Sequence, residues 1–79
     1  MYVLKSSSNP PFYIGHTADL KKRFLDHNNG RTTSTKRGIP WKLIYYEAFL
    51  NQTSAQDREM KLKQRGRAWQ ELKRRIDSA

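Results

Sequence analysis

Arg23 and His27 are the residues best suited to chemistry, because they lie four residues apart in one polar stretch of the chain. On an α-helix this spacing directs two side chains to within about 40° of each other. A guanidinium can hold a phosphate through two hydrogen bonds, and an imidazole can move protons near neutral pH. The pair therefore suits a phosphate site, the alternative being an Arg–His pair that is solvated or partly packed.

The helix that carries this pair is expected to run from about residue 18 to residue 28. Thr17 or Asp19 can cap its first turn. Leu20 and Phe24, which are also four residues apart, lie beside the pair on the helical wheel. We therefore expect the pair at the rim of the buried face, with Lys21, Lys22 and Asp26 pointing away.

Glu59 is the second candidate, because its helical position faces inward, one step around the wheel from Ala55 and Leu62. In a strongly basic chain, a carboxylate on the phosphate-binding side would repel the ligand unless a divalent cation bridges the two. The alternative is a helical salt bridge to Lys63, worth about 0.2–0.5 kcal/mol. Glu47 is a weaker candidate of the same kind.

Two tyrosines, Tyr2 and Tyr13, lie on adjacent strands of an expected hairpin, where phenols ordinarily fill a sheet. Tyr13 is followed closely by Gly15. A glycine removes a side chain where a ligand could approach the backbone, and its alternative meaning is a β-bulge.

The composition of the chain narrows the classes of function. Its 16 Lys and Arg residues against 7 Asp and Glu give a formal charge of +9, which favours a polyanionic partner, nucleic acid first. It has no cysteine, which excludes disulfides, thiolate zinc sites and a cysteine nucleophile and favours a reducing compartment.

The longest apolar run, residues 43–46, is far short of the ~20 residues that span a bilayer. No secretory leader pattern is present. We expect a cytoplasmic protein with no membrane contact, forming one domain over residues 1–79.

The pattern of short strands and amphipathic helices predicts an α+β fold. Residues 2–4 and 12–14 are aromatic and β-branched runs separated by turn formers, which indicates a β-hairpin. Residues 31–40 are polar and suit a loop or a short helical turn. Residues 41–49 alternate two apolar sets, which suits a central strand covered on both faces.

Two further helices are expected in the last third of the chain. Thr53 followed three residues later by Gln56 matches a capping box at the start of the first helix. Trp69, Leu72 and Ile76 recur at helical spacing and give the last helix its apolar face. The predicted order is β-β-α-(α)-β-α-α, a small sheet with helices packed around it.

Together these signals resemble the GIY-YIG nuclease domain, in particular its small stand-alone bacterial members and the nuclease domain of the excision-repair incision subunit. The most specific feature is the spacing of ten and then four residues from Tyr13 to Arg23 to His27. The resemblance covers residue 2 to about residue 67. Its matching segments are Tyr2-Val3-Leu4-Lys5-Ser6, Tyr13-Ile14-Gly15, Thr17, Asp19-Leu20, Arg23, His27-Asn28, Lys36, residues 41–49, Ala55, Arg58-Glu59 and Leu62.

The resemblance implies a three-stranded antiparallel sheet flanked by helices, and a metal-dependent cut of a DNA phosphodiester, in DNA repair or recombination. Carried over by position, the catalytic residues are Tyr2, Tyr13, Arg23, His27 and Glu59. Glu59 is the implied ligand of one divalent cation, Mg²⁺ or Mn²⁺. No phosphate-binding loop or dinucleotide fingerprint is present, so no small-molecule cofactor is expected.

The first motif departs from the family pattern because it lacks its glycine, and only Met1 precedes Tyr2. Strand one thus begins at a proposed catalytic residue and is expected to fray.

The identity of the general base is left open, with His27 and Tyr2 as the two candidates. On ordinary pKa values the imidazole of His27 is favoured, since a phenol of pKa ~10 is about 0.1% ionised at neutral pH. The resemblance favours Tyr2, which would require nearby cations to depress its pKa.

Basic residues outside this set are expected to follow the DNA backbone without reading sequence. They are Lys21, Lys22, Lys36, Arg37, Lys61, Lys63, Arg65 and Arg67. The alternative is a solvated basic face.

Two other functions remain open: a nucleic-acid-binding module of the same fold that cuts slowly or not at all, and a basic accessory protein that docks on a protein or ribosomal partner. The oligomeric state and the form of the nucleic acid also remain open.

Overall fold

The elements follow the predicted order in a computed structural model that describes residues 1–8 and 10–77. They are β1 (Tyr2–Lys5), β2 (Phe12–Gly15), α1 (Leu20–Asn28), a 3₁₀ helix (Thr33–Gly38), β3 (Lys42–Tyr46), α2 (Gln52–Lys63) and α3 (Arg67–Asp77). The strands form one three-stranded antiparallel sheet. The α+β prediction is confirmed, and the polar stretch before β3 is the predicted short helical turn.

The strand order is β2-β1-β3, so the central strand is β1 and not β3. The prediction of a central strand over residues 41–49 is therefore wrong in both position and length. An alternation of apolar residues shows that both faces of a strand can be buried, but it does not show which other elements pack on those faces. One face of β3 has little cover, and Tyr46 is 62% exposed. Residues 2–4 are instead buried on both faces of the sheet.

The start of β1 is firmly paired, which corrects the expectation that it would fray. Tyr2 lies opposite Gly15 on one side and Tyr46 on the other. Beyond it, the Glu47 N–H donates to the Met1 carbonyl at 2.9 Å, and the Met1 side chain is buried. A strand hydrogen-bonded along both edges holds its side chains in place, so Tyr2 has a fixed position.

The sheet separates two apolar clusters, because successive side chains of a strand point to opposite faces. One cluster packs β1 and β2 against α2 and α3, through Met1, Val3, Ile14, Leu62, Trp69 and Leu72. The other comprises Tyr2, Leu4 and Trp41, with Leu20 and Phe24 of α1 and Tyr13 packed against it. Leu20 and Phe24 thus form the predicted buried face of α1, and Tyr2 points to the same side.

The helix starts are set by side-chain caps. Asp19, one of the two predicted caps, accepts a hydrogen bond from the Lys22 N–H at 3.0 Å. The predicted capping box of α2 is wrong, because Asn51 precedes the helix and accepts from the Ser54 N–H at 2.8 Å. Within residues 1–8 and 10–77, none of the helices has the length and apolar character that crossing a bilayer requires.

Candidate active site

The centre of the candidate site is a hydrogen bond between Tyr2 of β1 and His27 of α1. The Tyr2 hydroxyl lies 2.8 Å from His27 Nε2, and the two residues are 1% and 0% exposed. His27 is thus deeper than the predicted rim position. A side chain with no exposed surface does not contact bulk water, so His27 can act on a substrate only through a neighbour.

A second hydrogen bond leads from His27 to the 3₁₀ helix. His27 Nδ1 lies 2.7 Å from the Thr35 hydroxyl, which lies 3.3 Å from the Thr32 carbonyl. Since a carbonyl only accepts, the Thr35 hydroxyl donates to it and accepts from His27 Nδ1. His27 Nε2 is then the unprotonated nitrogen, and the Tyr2 hydroxyl donates to it. The network thereby assigns the tautomer of the imidazole.

Two hydrogen bonds hold the 3₁₀ helix that carries Thr35, one at Thr35 itself and one at the last residue of the helix. The Trp41 indole N–H donates to the Thr35 carbonyl at 2.8 Å, and the Ser6 hydroxyl donates to the Gly38 carbonyl at 2.6 Å. Asn28 fixes Trp41 in turn, because its side-chain amide bonds both the N–H and the carbonyl of that residue. The polar segment before β3 thus has a defined role in orienting His27.

Arg23 and Tyr13 complete this side of the site. The Tyr13 ring centroid lies 4.8 Å from that of His27 and 6.2 Å from that of Tyr2. The pKa of Arg23 is raised, chiefly by its interaction with the Tyr2 hydroxyl, with Tyr13 adding to the effect. The half-buried guanidinium therefore lies beside both phenols. The structure brings together four of the five residues expected to be catalytic.

The protonation states of Tyr2 and His27 follow from their burial. Burial raises the pKa of Tyr2 to about 12, Tyr13 adds to the rise, and Arg23 opposes it. The cations near Tyr2 therefore fail to depress its pKa, contrary to what a free phenolate base would need. Burial also lowers the pKa of His27, and the Arg23 charge reinforces the shift. At neutral pH the site holds a phenol that donates to a neutral imidazole.

Gly15 is required by Tyr2 itself. A Cβ at this position would lie 2.7 Å from the Tyr2 hydroxyl oxygen and 3.1 Å from the Tyr13 ring. The absent side chain therefore makes room for a phenol of the protein, and neither the proposed ligand approach nor a bulge explains this glycine. The sheet irregularity lies instead between Val3 and Leu4, opposite β3.

Glu59 lies on α2, which packs on the other face of the sheet from α1. One carboxylate oxygen lies 2.7 Å from His16 Nδ1 and the other 2.9 Å from Lys63 Nζ, so the predicted helical salt bridge is present. Burial alone would raise the pKa of Glu59, but the hydrogen bonds from His16 and Lys63 outweigh it and lower the pKa. Its charge also raises the pKa of Tyr2, which puts Glu59 within electrostatic reach of that phenol.

The donor set at Glu59 fits a hard divalent cation. The carboxylate is ionised at neutral pH and its side chain is 14% exposed. No group of three or more His, Asp or Glu side chains suited to a metal occurs in the described part of the chain. Mg²⁺ commonly binds through one or two carboxylates, with water and substrate phosphate completing its shell. A single carboxylate therefore suffices for such a site.

Glu47, the weaker candidate, is engaged in a structural ion pair. Arg58 Nε donates to it at 2.8 Å, and the Tyr45 hydroxyl donates to its other oxygen at 2.8 Å. Burial alone would raise the pKa of Glu47, and these hydrogen bonds lower it instead. The carboxylate joins the end of β3 to α2.

A pocket of about 640 Å³ adjoins Tyr2. His16, Leu20, Tyr46, Phe49 and Ala55 are among its lining residues. It lies between the start of α1 and the start of α2, and Tyr2 is the candidate catalytic residue among its lining residues.

The eight basic residues expected to bind nucleic acid are all exposed, as such a role requires. Three have partners within the chain. Lys63 contacts Glu59, Arg67 forms an ion pair with Glu71 at 2.9 Å, and Arg65 lies over the Trp69 ring at 4.8 Å. Their part in nucleic-acid binding stays a prediction.

Two residues near the candidate site, His16 and Thr35, were not among the residues predicted from the sequence. His16 directly follows Gly15 at the end of β2, so its place beside the motif was a usable signal. Thr35 lies in a run of hydroxyl residues, with no signal that separates it from its neighbours.

Comparison with known families places the chain among nuclease domains. The family model described as the GIY-YIG catalytic domain matches residues 1–76. The chain therefore belongs to the GIY-YIG family, a family of nuclease domains that generally use a divalent metal ion.

Similar proteins occur in streptococci. A UPF0213 protein of Streptococcus pyogenes serotype M5 is 38% identical over 73 residues, which cover 91% of this chain and 78% of the relative. A UPF0213 protein of Streptococcus agalactiae serotype V is 40% identical over 68 residues, 85% of this chain and 76% of the relative. A UPF0213 protein of Streptococcus pneumoniae serotype 4 is 36% identical over 72 residues, with coverage of 90% and 72%. No solved structure matches significantly.

Proposed function

We propose that this protein is a divalent-metal-dependent endonuclease that hydrolyses phosphodiester bonds of DNA, with residues 1–79 acting as one domain. The observation that carries the proposal is the buried hydrogen-bonded chain from Tyr2 through His27 to Thr35, whose Tyr2 end lies beside the Arg23 guanidinium. A structural core gains nothing from placing a tyrosine, a histidine and an arginine together, since each buried polar group costs free energy unless it is fully paired. A site that moves a proton during attack on a phosphate ester can use all three, as a base, its proton acceptor and a cation.

Tyr2 and His27 act as one base in this proposal. A water molecule that attacks phosphorus gives its proton to the Tyr2 oxygen while the phenol proton passes to His27 Nε2. The net acceptor is the imidazole, which is neutral at pH 7 because its pKa is lowered. This arrangement avoids a free phenolate, which a pKa of about 12 makes rare at neutral pH. Both residues therefore take part in the base step: Tyr2 accepts the proton of the water, and His27 accepts the proton of Tyr2.

Arg23 neutralises the charge that develops on the phosphate oxygens. An arginine that stabilises a phosphoryl transition state contributes about 10³–10⁵ in rate in other enzymes. Tyr13 packs on His27 and lies beside Arg23, so it orients both groups. These two residues act on the substrate and on its alignment without exchanging a proton.

Glu59 would hold the divalent cation, Mg²⁺ or Mn²⁺, through its ionised carboxylate. When bound, such an ion polarises the scissile phosphate and offsets the negative charge on the leaving oxygen. The exposed lysines and arginines would hold the neighbouring phosphates, with no means of reading the bases. We assign this activity to DNA repair or recombination on the resemblance of the sequence motifs to a repair nuclease domain.

The test is cleavage of end-labelled DNA with Mg²⁺ or Mn²⁺, using duplex, branched, flapped and single-stranded substrates. Wild-type protein should give products that disappear on chelation, and Tyr2→Phe, Arg23→Gln and Glu59→Gln should each lose at least about 100-fold in rate. Arg74→Gln, a charge-matched change on the exposed side of α3, should cut like wild type. Binding of all substrates without metal-dependent products would instead identify a nucleic-acid-binding module. Absence of both binding and products would point to a protein partner.

A further inference from the structure

His16 forms a close pair with the residue that would hold the metal ion. Its Nδ1 lies 2.7 Å from a carboxylate oxygen of Glu59, although the two residues are 43 positions apart. The imidazole is 25% exposed and lines the pocket beside Tyr2. Its other ring nitrogen makes no hydrogen bond within residues 1–8 and 10–77. The proposed function makes no use of this side chain.

We propose that His16 is a second protein ligand of the cation, so that His16 and Glu59 form a two-residue site selective for Mn²⁺ or Zn²⁺ over Mg²⁺. The inference rests on the role of Glu59 in the proposed function. A short contact between an imidazole nitrogen and a carboxylate oxygen needs one shared proton, since both atoms otherwise carry lone pairs. A divalent cation can replace that proton.

The distance between the two atoms suits this exchange. Zn²⁺ binds imidazole nitrogen at about 2.0–2.1 Å and carboxylate oxygen at about 2.0–2.2 Å. Two adjacent ligands of one ion are then about 3.0–3.4 Å apart, at angles between 90° and the tetrahedral value. The observed separation is 2.7 Å. A rotation that moves either side chain by a few tenths of an ångström is enough.

The surroundings leave this side of Glu59 available. Lys63 contacts the second carboxylate oxygen, at 2.9 Å, so the oxygen that faces His16 is the one free to exchange its partner. The pair borders the pocket through His16, which gives an ion a path from solvent. The Lys63 charge repels a cation, so a second ligand is needed more here than beside a carboxylate with no basic neighbour.

The rival reading is that His16 only orients Glu59 through a hydrogen bond. The two hypotheses predict different effects of removing His16 on the affinity for transition metals and on the affinity for Mg²⁺. Imidazole nitrogen favours transition metals, and its loss should have little effect on Mg²⁺, which prefers oxygen. A residue that only orients the carboxylate should affect both ions by the same factor.

Calorimetric titration of the free protein with MnCl₂ and with MgCl₂ separates the readings. His16→Ala should weaken Mn²⁺ binding about 10- to 100-fold and change Mg²⁺ binding by less than about threefold. His16→Gln, which keeps a hydrogen-bond donor near Glu59 but no imidazole, should lose Mn²⁺ selectivity equally. Equal factors for the two ions, no change in either, or full Mn²⁺ selectivity in His16→Gln would each overturn the proposal.

Nitrogen NMR of the imidazole rings gives a direct readout, because the chain has only two histidines. Addition of ZnCl₂ should shift the Nδ1 resonance of His16 strongly and leave the ring nitrogens of His27 nearly unchanged. In Glu59→Gln the His16 shift should require at least about tenfold more Zn²⁺. A shift of His27 alone, or of neither ring, would contradict the assignment.

Failure of this inference is distinguishable from failure of the proposed function. If wild-type protein cuts DNA with Mg²⁺ and His16→Ala leaves selectivity unchanged, the endonuclease stands and His16 is not a ligand. If Zn²⁺ shifts His16 and Mn²⁺ is preferred, but no DNA is cut, the metal site stands and the endonuclease fails.

Discussion

Single side chains at the site work through their neighbours. In the proposed mechanism Tyr2 takes the proton of the attacking water, but the direction of its own proton depends on His27, whose tautomer depends on Thr35. A hydroxyl in the 3₁₀ helix thus determines whether the phenol faces a lone pair or an N–H. Thr35 is therefore a positioning residue for proton transfer.

Replacing Thr35 by valine tests this dependence with little change in shape. Thr35→Val removes the acceptor of the His27 Nδ1 proton, so the other tautomer gains and the Tyr2 hydroxyl loses its acceptor. We expect kcat for DNA cleavage to fall about 10- to 100-fold, within the usual contribution of a general base, with KM nearly unchanged. Thr35→Ser keeps the hydroxyl and should restore most of the rate. An equal loss in both variants would show that Thr35 serves packing alone.

The pH dependence of cleavage distinguishes the paired base from a free phenolate. Because the pKa of His27 is lowered from the ordinary 6.5, the rate should rise with pH to a plateau reached before pH 7. A free Tyr2 phenolate would give a rate that still rises through pH 9, since its pKa is about 12. A kcat profile from pH 5 to pH 9.5 at saturating metal measures this. A rate that rises tenfold per pH unit up to pH 9 would contradict a His27 acceptor.

The same histidine should make stability depend on pH. The unfolded chain takes up a proton on His27 near pH 6.5, whereas the folded chain does so only at lower pH. The unfolded state therefore binds more protons between these values, and the free energy of unfolding falls as pH falls from 6.5. Glu59, whose pKa is lowered from 4.5, continues the loss below pH 4.5. Urea unfolding from pH 7.5 to pH 4 measures it, and His16→Gln should keep the upper part of the fall.

At the scale of elements, the ends of helices and strands determine what reaches the site. Helix α2 carries Glu59, and its first turn is anchored by Asn51. Strand β2 ends at Gly15, beyond which His16 turns toward Glu59. Each of these termini is fixed by contacts of a few neighbouring residues, so each can be tested by a single substitution.

The cap of α2 gives a prediction with a matched control. Asn51→Ala removes the acceptor of the Ser54 N–H and should lower the free energy of unfolding by about 1 kcal/mol. Thr53→Ala alters the residue that the capping-box pattern selects, and it should have a smaller effect because that side chain makes no cap hydrogen bond. Urea unfolding at pH 7 compares the two. A larger loss from Thr53→Ala would contradict the observed cap.

Gly15 gives a second prediction at this scale. Gly15→Ala places a Cβ at 2.7 Å from the Tyr2 hydroxyl oxygen, so the phenol must move away from His27. We expect a loss of cleavage of at least about 100-fold, because a base displaced from its partner no longer transfers protons. Gly66→Ala, where a Cβ meets nothing within 4 Å, is the matched control and should keep its activity. Full activity in Gly15→Ala would contradict the proposed geometry.

At the scale of the whole molecule, the charge of +9 governs the proposed binding of DNA. Contacts between basic residues and phosphates release counterions, so log affinity should fall linearly with log salt, by about 0.9 per phosphate contacted. Lys21→Gln with Lys22→Gln removes two exposed charges next to Arg23 on α1 and should flatten the slope by about 1–2. The exposed Arg74→Gln should flatten it less. Fluorescence anisotropy with labelled DNA from 50 to 300 mM NaCl measures the slopes.

Local pattern determined the order of the elements, the apolar face of α1 and the spacing of Arg23 and His27. Such features depend on residues a few positions apart, where helical and strand periodicity repeat reliably. Tertiary structure alone decided that β1 is central, that Asn51 caps α2, and that His27 is fully buried against Tyr2. It also decided the pairing of His16 with Glu59. Each of these depends on which apolar faces cover one another, and a pattern shows that a face is apolar without showing what covers it.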